Sequence, residues 1–290
     1  MQLSVIIPVH AKAERLRLTL ASLRRQQQRC QFETLIVADA AQPAVMAQLA
    51  ALSDVRILHS PGLGRAAARN LGASLAQGEV LLFLDDDILV RDGFFEAHLQ
   101  AQRAQAGLVH GRLRELIALS TLSDPALGCP GCPPILPEDL LAGRWSADGA
   151  RLVANPLEQA AEHPRASQWP GLGSAGANIS VSRSAWQQVG GFDASYGRRW
   201  GMEALDLGYR LWRAGVRLSL APAACGYHMS HHNPQRWQDH RHNLELFQAQ
   251  APIAEALALD QLLSPTGSLQ RYIARVDQIR QNALSPCARE

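Results

Sequence analysis

The chain is almost devoid of lysine. Lys12 is the single one, and arginine supplies the rest of the 28 basic side chains. Set against 26 acidic residues, they leave a formal charge of only +2. That excludes the basic excess that marks a nucleic-acid surface. The arginine bias reads first as genome composition and only weakly as a taste for phosphate partners. Long apolar runs are missing too, and none approaches the ~20 residues of a membrane span. Cysteine is scarce and odd in number: Cys30, Cys129, Cys132, Cys225 and Cys287. No basic leader precedes the opening strand pattern, so a reducing cytoplasm is the expected setting. Cys129-Pro-Gly-Cys132 offers half of a zinc or redox site. A structural zinc takes four ligands and no second pair stands at a suitable spacing, so a plain loop is the better reading.

What is present is a core. Of 290 residues 47% are apolar, enough for one large domain or a domain with an added lobe. Leu3-Ser-Val-Ile-Ile7, Phe32 to Val37, Val55 to Leu58 and Val80 to Leu84 read as strands. Between them, 14–28, 43–52 and 64–76 read as helices. Strands alternating with helices of this length predict βαβ units and a parallel sheet flanked by helices. The proline-rich stretch from Leu116 to Pro170 predicts irregular connection. Order resumes at Gly173 to Ser182, followed by helices near 184–189 and 205–214 and a strand at 216–220. From Gln235 the chain predicts a helical tail.

In such sheets ligands bind beyond the carboxyl ends of the strands. Pro8-Val-His10, Asp39 and Asp85-Asp86-Asp87 all follow strands and should gather along one edge. Three adjacent carboxylates repel one another and call for a cation. On extended chain Asp85 and Asp87 share a face. Hard oxygen ligands of this kind suit Mg²⁺ or Mn²⁺ held with a substrate phosphate. The bland alternative is a solvated acidic turn.

Several stretches together resemble the family-2 nucleotide-sugar glycosyltransferases. Leu3 to His10 is similar to that family's opening strand. Gly64-Arg-Ala-Ala-Ala-Arg-Asn-Leu-Gly72, Gly78-Glu79 and Leu84-Asp-Asp-Asp87 match its next elements in order. Gly176-Ala-Asn178, Gly190-Gly-Phe-Asp193 and Trp200 to Leu211 resemble its acceptor half, which is galactosyltransferase-like. The resemblance implies an α/β, Rossmann-like GT-A fold with a mostly parallel central sheet over 1–235. Residues 1–115 would form the nucleotide-sugar half, 171–235 the acceptor half, and 236–290 a helical extension. It implies a metal-dependent, inverting transfer from a nucleotide sugar, UDP-linked, to a glycan, peptide or small-molecule acceptor. It also leaves room for peripheral membrane contact, although no basic amphipathic helix argues for that.

Carried over by position, Pro8, Val9 and His10 would line the uridine pocket and Asp39 would contact the base. Arg69, Asp85 and Asp86 would reach the ribose, phosphates and sugar. Asp87, with Asp85 and His228, would hold Mn²⁺ or Mg²⁺, and His231 or His232 are lesser candidates. Trp200 and Gly201 would shape the acceptor pocket. Inverting transfer needs a general base. The family's Glu-Asp pair is Glu203-Ala204 here, so Glu203 or Asp206 must serve. On a helix Asp206 lies about 300° round from Glu203, at roughly 100° per residue, so the two need not face one site. A rival reading keeps the donor half and loses the base, which gives a catalytically weak nucleotide-sugar-binding protein. In a third, a helix-capping Glu203 and an Asp206–Arg210 pair are merely structural.

Overall fold

The computed structural model describes residues 2–26, 30–116, 136–142, 144, 152–229 and 236–284. Strands β1 (Leu3–Val9), β2 (Phe32–Asp39), β3 (Arg56–Ser60) and β4 (Val80–Leu84) alternate with helices α1 (Ala13–Arg24), α2 (Pro43–Leu49) and α3 (Arg65–Leu75). Then come β5 (Ile88–Val90), α4 (Phe94–Ala104), β6 (Gly107–Leu116), α5 (Pro137–Leu141), β7 (Leu152–Ala154) and α6 (Pro156–Glu162). β8 (Asn178–Ser182), α7 (Arg183–Gln188), α8 (Glu203–Arg213) and β9 (Arg217–Met229) follow. The chain closes with α9 (Arg236–Gln250), α10 (Ala254–Leu257) and α11 (Leu269–Leu284).

All strands join one sheet in the order β3-β2-β1-β4-β8-β6-β9-β5, with β7 paired to β6. The first four run parallel. β1 is buried at every position, as a strand covered on both faces must be. Val5 and Ile7 pack with Leu16 and Leu20 of α1, while Ile6 packs with Ala66 and Ala73 of α3. Helix α3 lies very close to β1. A side chain at Gly72 would come within 2.5 Å of Ile6 Cγ2.

The α/β, Rossmann-like expectation holds, and the sheet is mixed. β8 is antiparallel to β4 and β6, β5 is antiparallel to β9, and β6 and β9 are parallel. The strand expected at 216–220 runs on to Met229. It passes Pro222 by a bulge, where the register jumps from Gly111↔Ala221 to Arg112↔Cys225. Proline has no N–H for the ladder, so a strand can hold it only at such an irregularity or an edge. Asn178 Nδ2 bridges the gap, donating to the carbonyls of Arg112 (2.9 Å) and Ala224 (3.0 Å).

The tail from 236 is helical as expected, and its described part is docked. Phe247 of α9 packs against Trp169 and Tyr209 with ring centroids 6.0 and 6.4 Å apart. Glu255 accepts from the Gln168 N–H (2.7 Å) and from Arg280 (2.8 Å). No helix among the described residues is long and apolar enough to cross a membrane.

Candidate active site

The carboxyl ends of β1, β2 and β4 open on a cleft of about 250 Å³, walled by Pro8, Val9, His10, Lys12, Asp39, Asp85 and Asp86 together with Arg65 and Arg198. The predicted donor residues of the first half therefore do gather, except Arg69. Asp39 is occupied in shaping the wall. Its Oδ1 accepts from the Ser60 hydroxyl (2.5 Å) and the N–H groups of Gly62 and Leu63, and its Oδ2 from the Gly64 N–H (2.9 Å). Gly64 sits at φ +97, and a Cβ there would lie 1.9 Å from the Gly197 carbonyl oxygen. Only glycine meets both demands. The His10 ring hydrogen-bonds through Nδ1 to the Asp39 carbonyl (2.9 Å).

The three aspartates part company. Asp85 accepts from Arg69 Nη2 (2.7 Å). Asp86 lies 3.5 Å from Lys12 Nζ, which stands 2.7 Å from Asp87 Oδ2. The same Oδ2 lies 3.1 Å from His228 Nε2, and His228 Nδ1 is 2.7 Å from Glu115 Oε2. Burial pushes the Asp86 carboxyl up to about 7, helped by its two acidic neighbours and opposed by Lys12. Burial also works against ionised Asp87, but His228 and Lys12 outweigh it and hold that carboxyl well below the usual range. For His228 burial is likewise overcome, by Asp87 and Glu115, and its pKa rises to about 10.

A second cleft of about 200 Å³ adjoins the first and shares Lys12, Arg65 and Asp85 with it. Its walls include Asp87, Glu115, His228, Trp200, Gly201 and Glu203, so both predicted acceptor residues are here. Arg69 lies beneath this cleft and is 1% exposed. Its Nη1 donates to Glu203 Oε1 at 2.8 Å, so one guanidinium clamps Asp85 and Glu203 together. A Cβ on Gly176 would press on that guanidinium at 2.9 Å. Asp206 is fully buried outside both clefts. It accepts from Arg210 Nε at 2.8 Å, and Arg210 also donates to the carbonyls of Val189 and Gly191. That is the structural Asp206–Arg210 pair. His231, His232, Cys129 and Cys132 lie outside the described residues.

Four further wall residues had no motif to announce them. Lys12 and Glu115 stand inside ordinary-looking runs. Arg236 and Leu263 come from beyond the predicted acceptor half. The Arg236 guanidinium carbon sits 4.3 Å from the centre of the Trp200 ring.

A divalent metal fits this set. Asp87 and His228 converge, and Glu115 takes the far ring nitrogen of His228, as partners of metal-bound histidines do. No group of three or more candidate ligands converges among the described residues. Two protein ligands, with the rest from phosphate and water, is a usual arrangement for Mg²⁺-type ions.

Residues 4–116 match the model of glycosyl transferase family 2, and residues 160–233 match that of the N-terminal domain of galactosyltransferase. Over residues 4–116 the chain is similar to the family-2 glycosyltransferases, and the two matches together support a transferase. Polypeptide N-acetylgalactosaminyltransferase 3 of Drosophila melanogaster is 26% identical to it, over 79% of this chain and 34% of that protein. Validoxylamine A glucosyltransferase of Streptomyces hygroscopicus is also 26% identical, over 79% and 56%. Pre-mycofactocin glycosyltransferase of Mycobacterium tuberculosis is 29% identical, over 78% and 42%. The chain thus spans between a third and just over half the length of these relatives. Among solved structures, a mannosyltransferase of Pyrobaculum calidifontis in complex with GDP-Man and Mn²⁺ superposes with a TM-score of 0.60 at 14% identity, over 99% of this chain and 76% of that one. GalNAc-T7 with UDP, GalNAc and Mn²⁺ gives 0.59 at 14%, over 97% and 54%. At such identities the likeness shows the shared fold.

Proposed function

We propose that this glycosyltransferase is metal-dependent and inverting, and moves a sugar from a UDP-linked donor to a hydroxyl of a glycan, peptide or small molecule. The observation that carries this reading is the Asp87–His228–Glu115 chain in the wall of the second cleft, in contact with Lys12, which both clefts share. One cleft is walled by the loop after β1 and suits a nucleoside. The other is walled by Trp200, Gly201 and Glu203 and suits the sugar and its acceptor. A bound Mn²⁺ or Mg²⁺ would offset the charge of the leaving diphosphate. Pro8, Val9 and Asp39 would border the base, and His10 the pocket mouth. Asp85 and Asp86 would border ribose and sugar. An aromatic face such as Trp200 packs well on a sugar ring. Glu203 is the acceptor-side base. Its Oε1 is engaged by Arg69, so the acceptor proton would go to Oε2. Free Cys30 and Cys225 fit the reducing cytoplasm suggested by sequence.

The test is to incubate the protein with UDP- and GDP-sugars and Mn²⁺ or Mg²⁺, then measure release of nucleoside diphosphate. Slow hydrolysis of one donor, abolished by chelation and in Asp87→Ala, is the expected result. No hydrolysis from any donor, with no thermal stabilisation by UDP or GDP, would refute it. One observation favours the rival, a nucleotide-sugar-binding protein with weak catalysis. Glu203 is tied to Arg69 and Ala204 follows it. Turnover that vanishes in Glu203→Gln would dismiss that rival.

A further inference from the structure

Resting on the nucleotide site just proposed, we infer that Lys12 is a diphosphate-binding residue, a built-in cation by which the cleft takes a nucleoside diphosphate without a divalent metal. Lys12 is the only lysine in a chain that otherwise uses arginine throughout. It stands at the junction of both clefts, which is where a diphosphate linking nucleoside to sugar must lie. Its backbone is left-handed, at φ +68. That conformation is uncommon for a residue with a side chain and is kept only where surroundings impose it. Asp87 and Asp86 then hold the ammonium at 2.7 and 3.5 Å. An ammonium has three N–H donors. Two are accounted for, and a side chain 23% exposed leaves the third within reach of a ligand. The two carboxylates hold the chain in place beforehand, so little side-chain freedom is lost when phosphate arrives. Arg65 lines both clefts as well and adds positive charge there.

The geometry has a second consequence. Lys12 Nζ and His228 Nε2 share one oxygen, Asp87 Oδ2. A cation arriving at Asp87 must compete with Nζ. Removing the ammonium should therefore change two affinities in opposite directions, a pattern that misfolding cannot imitate.

The experiment is calorimetric titration of UDP, GDP and inorganic pyrophosphate into the protein in EDTA, using wild type, Lys12→Met and Lys12→Arg. Wild type should bind at least one of the three. Lys12→Met should bind it tenfold or more weakly, since a charge-assisted hydrogen bond is lost. Lys12→Arg, which keeps the charge, should recover most of the affinity. In a separate titration without nucleotide, Lys12→Met should bind Mn²⁺ more tightly than wild type. Equal metal-free affinity in wild type and Lys12→Met overturns the inference. So does a wild type that binds UDP or GDP only with Mn²⁺. Binding of neither UDP nor GDP, with or without Mn²⁺, overturns the nucleotide site itself.

Discussion

Arg69 joins two carboxylates of the site, and its removal has a calculable cost. The guanidinium is 1% exposed and bridges Asp85 and Glu203 at 2.7 and 2.8 Å. Phe192 lies 5.4 Å below it. Truncation to alanine strands the Glu203 side chain, 10% exposed, without its partner. Breaking a buried pair on one side costs roughly 3–5 kcal/mol. Asp85 is 28% exposed, so water screens its share and the lower figure applies, about 3 kcal/mol. In a chain of this size that corresponds to a fall of about 5 °C in Tm. Thermal melting and urea denaturation both read it. A double-mutant cycle isolates the cause. In a Glu203→Gln background, Arg69→Ala should cost about 1–3 kcal/mol less. Arg69→Lys should fall between, because an ammonium cannot grip two carboxylates with a planar fork. A Tm within about 1 °C of wild type would refute the argument. Full additivity with Glu203→Gln would show that the Glu203 pair carries none of it.

Three further outcomes follow from the same geometry. His98 is buried between Asn178 Oδ1 (2.8 Å) and Ser180 Oγ (3.0 Å), and burial lowers its pKa to about 4. Above pH 6.5 both folded and unfolded states are neutral there, but between 6.5 and 4 only the unfolded chain gains a proton. Stability should therefore drop as pH falls through that window, and the His98 contribution to the drop should reach up to about 3 kcal/mol. The total drop, to which His110 and His240 with pKa values lowered to about 4 also add, should be smaller in His98→Gln, as read from urea midpoints against pH. Asp39→Ala removes the acceptor for Ser60 and three loop N–H groups, and should cost about 2–4 kcal/mol and speed hydrogen exchange at 62–64. Glu115→Gln weakens the hold on His228 and should lower Mn²⁺ affinity in the presence of UDP by about 10–100-fold, with unchanged Mn²⁺ affinity as the refuting result.

The first half of the fold was legible because each piece of it is local. β4 is an uninterrupted apolar run and β1 is broken only by Ser4, and α1 and α3 carry apolar residues at helical spacing between them. The later strands were not. β6 does not alternate up to Gly111, where all five positions are buried, and nothing in Pro222-Ala-Ala-Cys225 announces a strand. A proline read alone marks an end. Here it marks a bulge, because β6 and Asn178 supply from outside the hydrogen bonds that the ladder loses. That three-residue slip decides what stands opposite Glu115. Without it His228 would not pair with that position.

The same contrast separates the donor side from the acceptor side. A triplet such as Asp85-Asp86-Asp87 is visible in sequence because its chemistry lies in three consecutive side chains. Its neutralisation is only partly visible. Arg69 on α3 and His228 on β9 were expected near it from the family resemblance, whereas Lys12 at the start of α1 stands in an unremarkable context. On the acceptor side even the walls are dispersed. Asn155, Ser174, Trp200, Arg236 and Leu263 come from five separate stretches, two of them in or beyond α9. Trp200 faces its cleft with Arg236 stacked 4.3 Å above the ring. On the proposed reading, in which that aromatic face takes the acceptor, the tail from 236 onward helps to decide which sugar or peptide fits. A chain sharing every motif up to 211 but differing in that tail would keep the donor cleft and present a different acceptor wall.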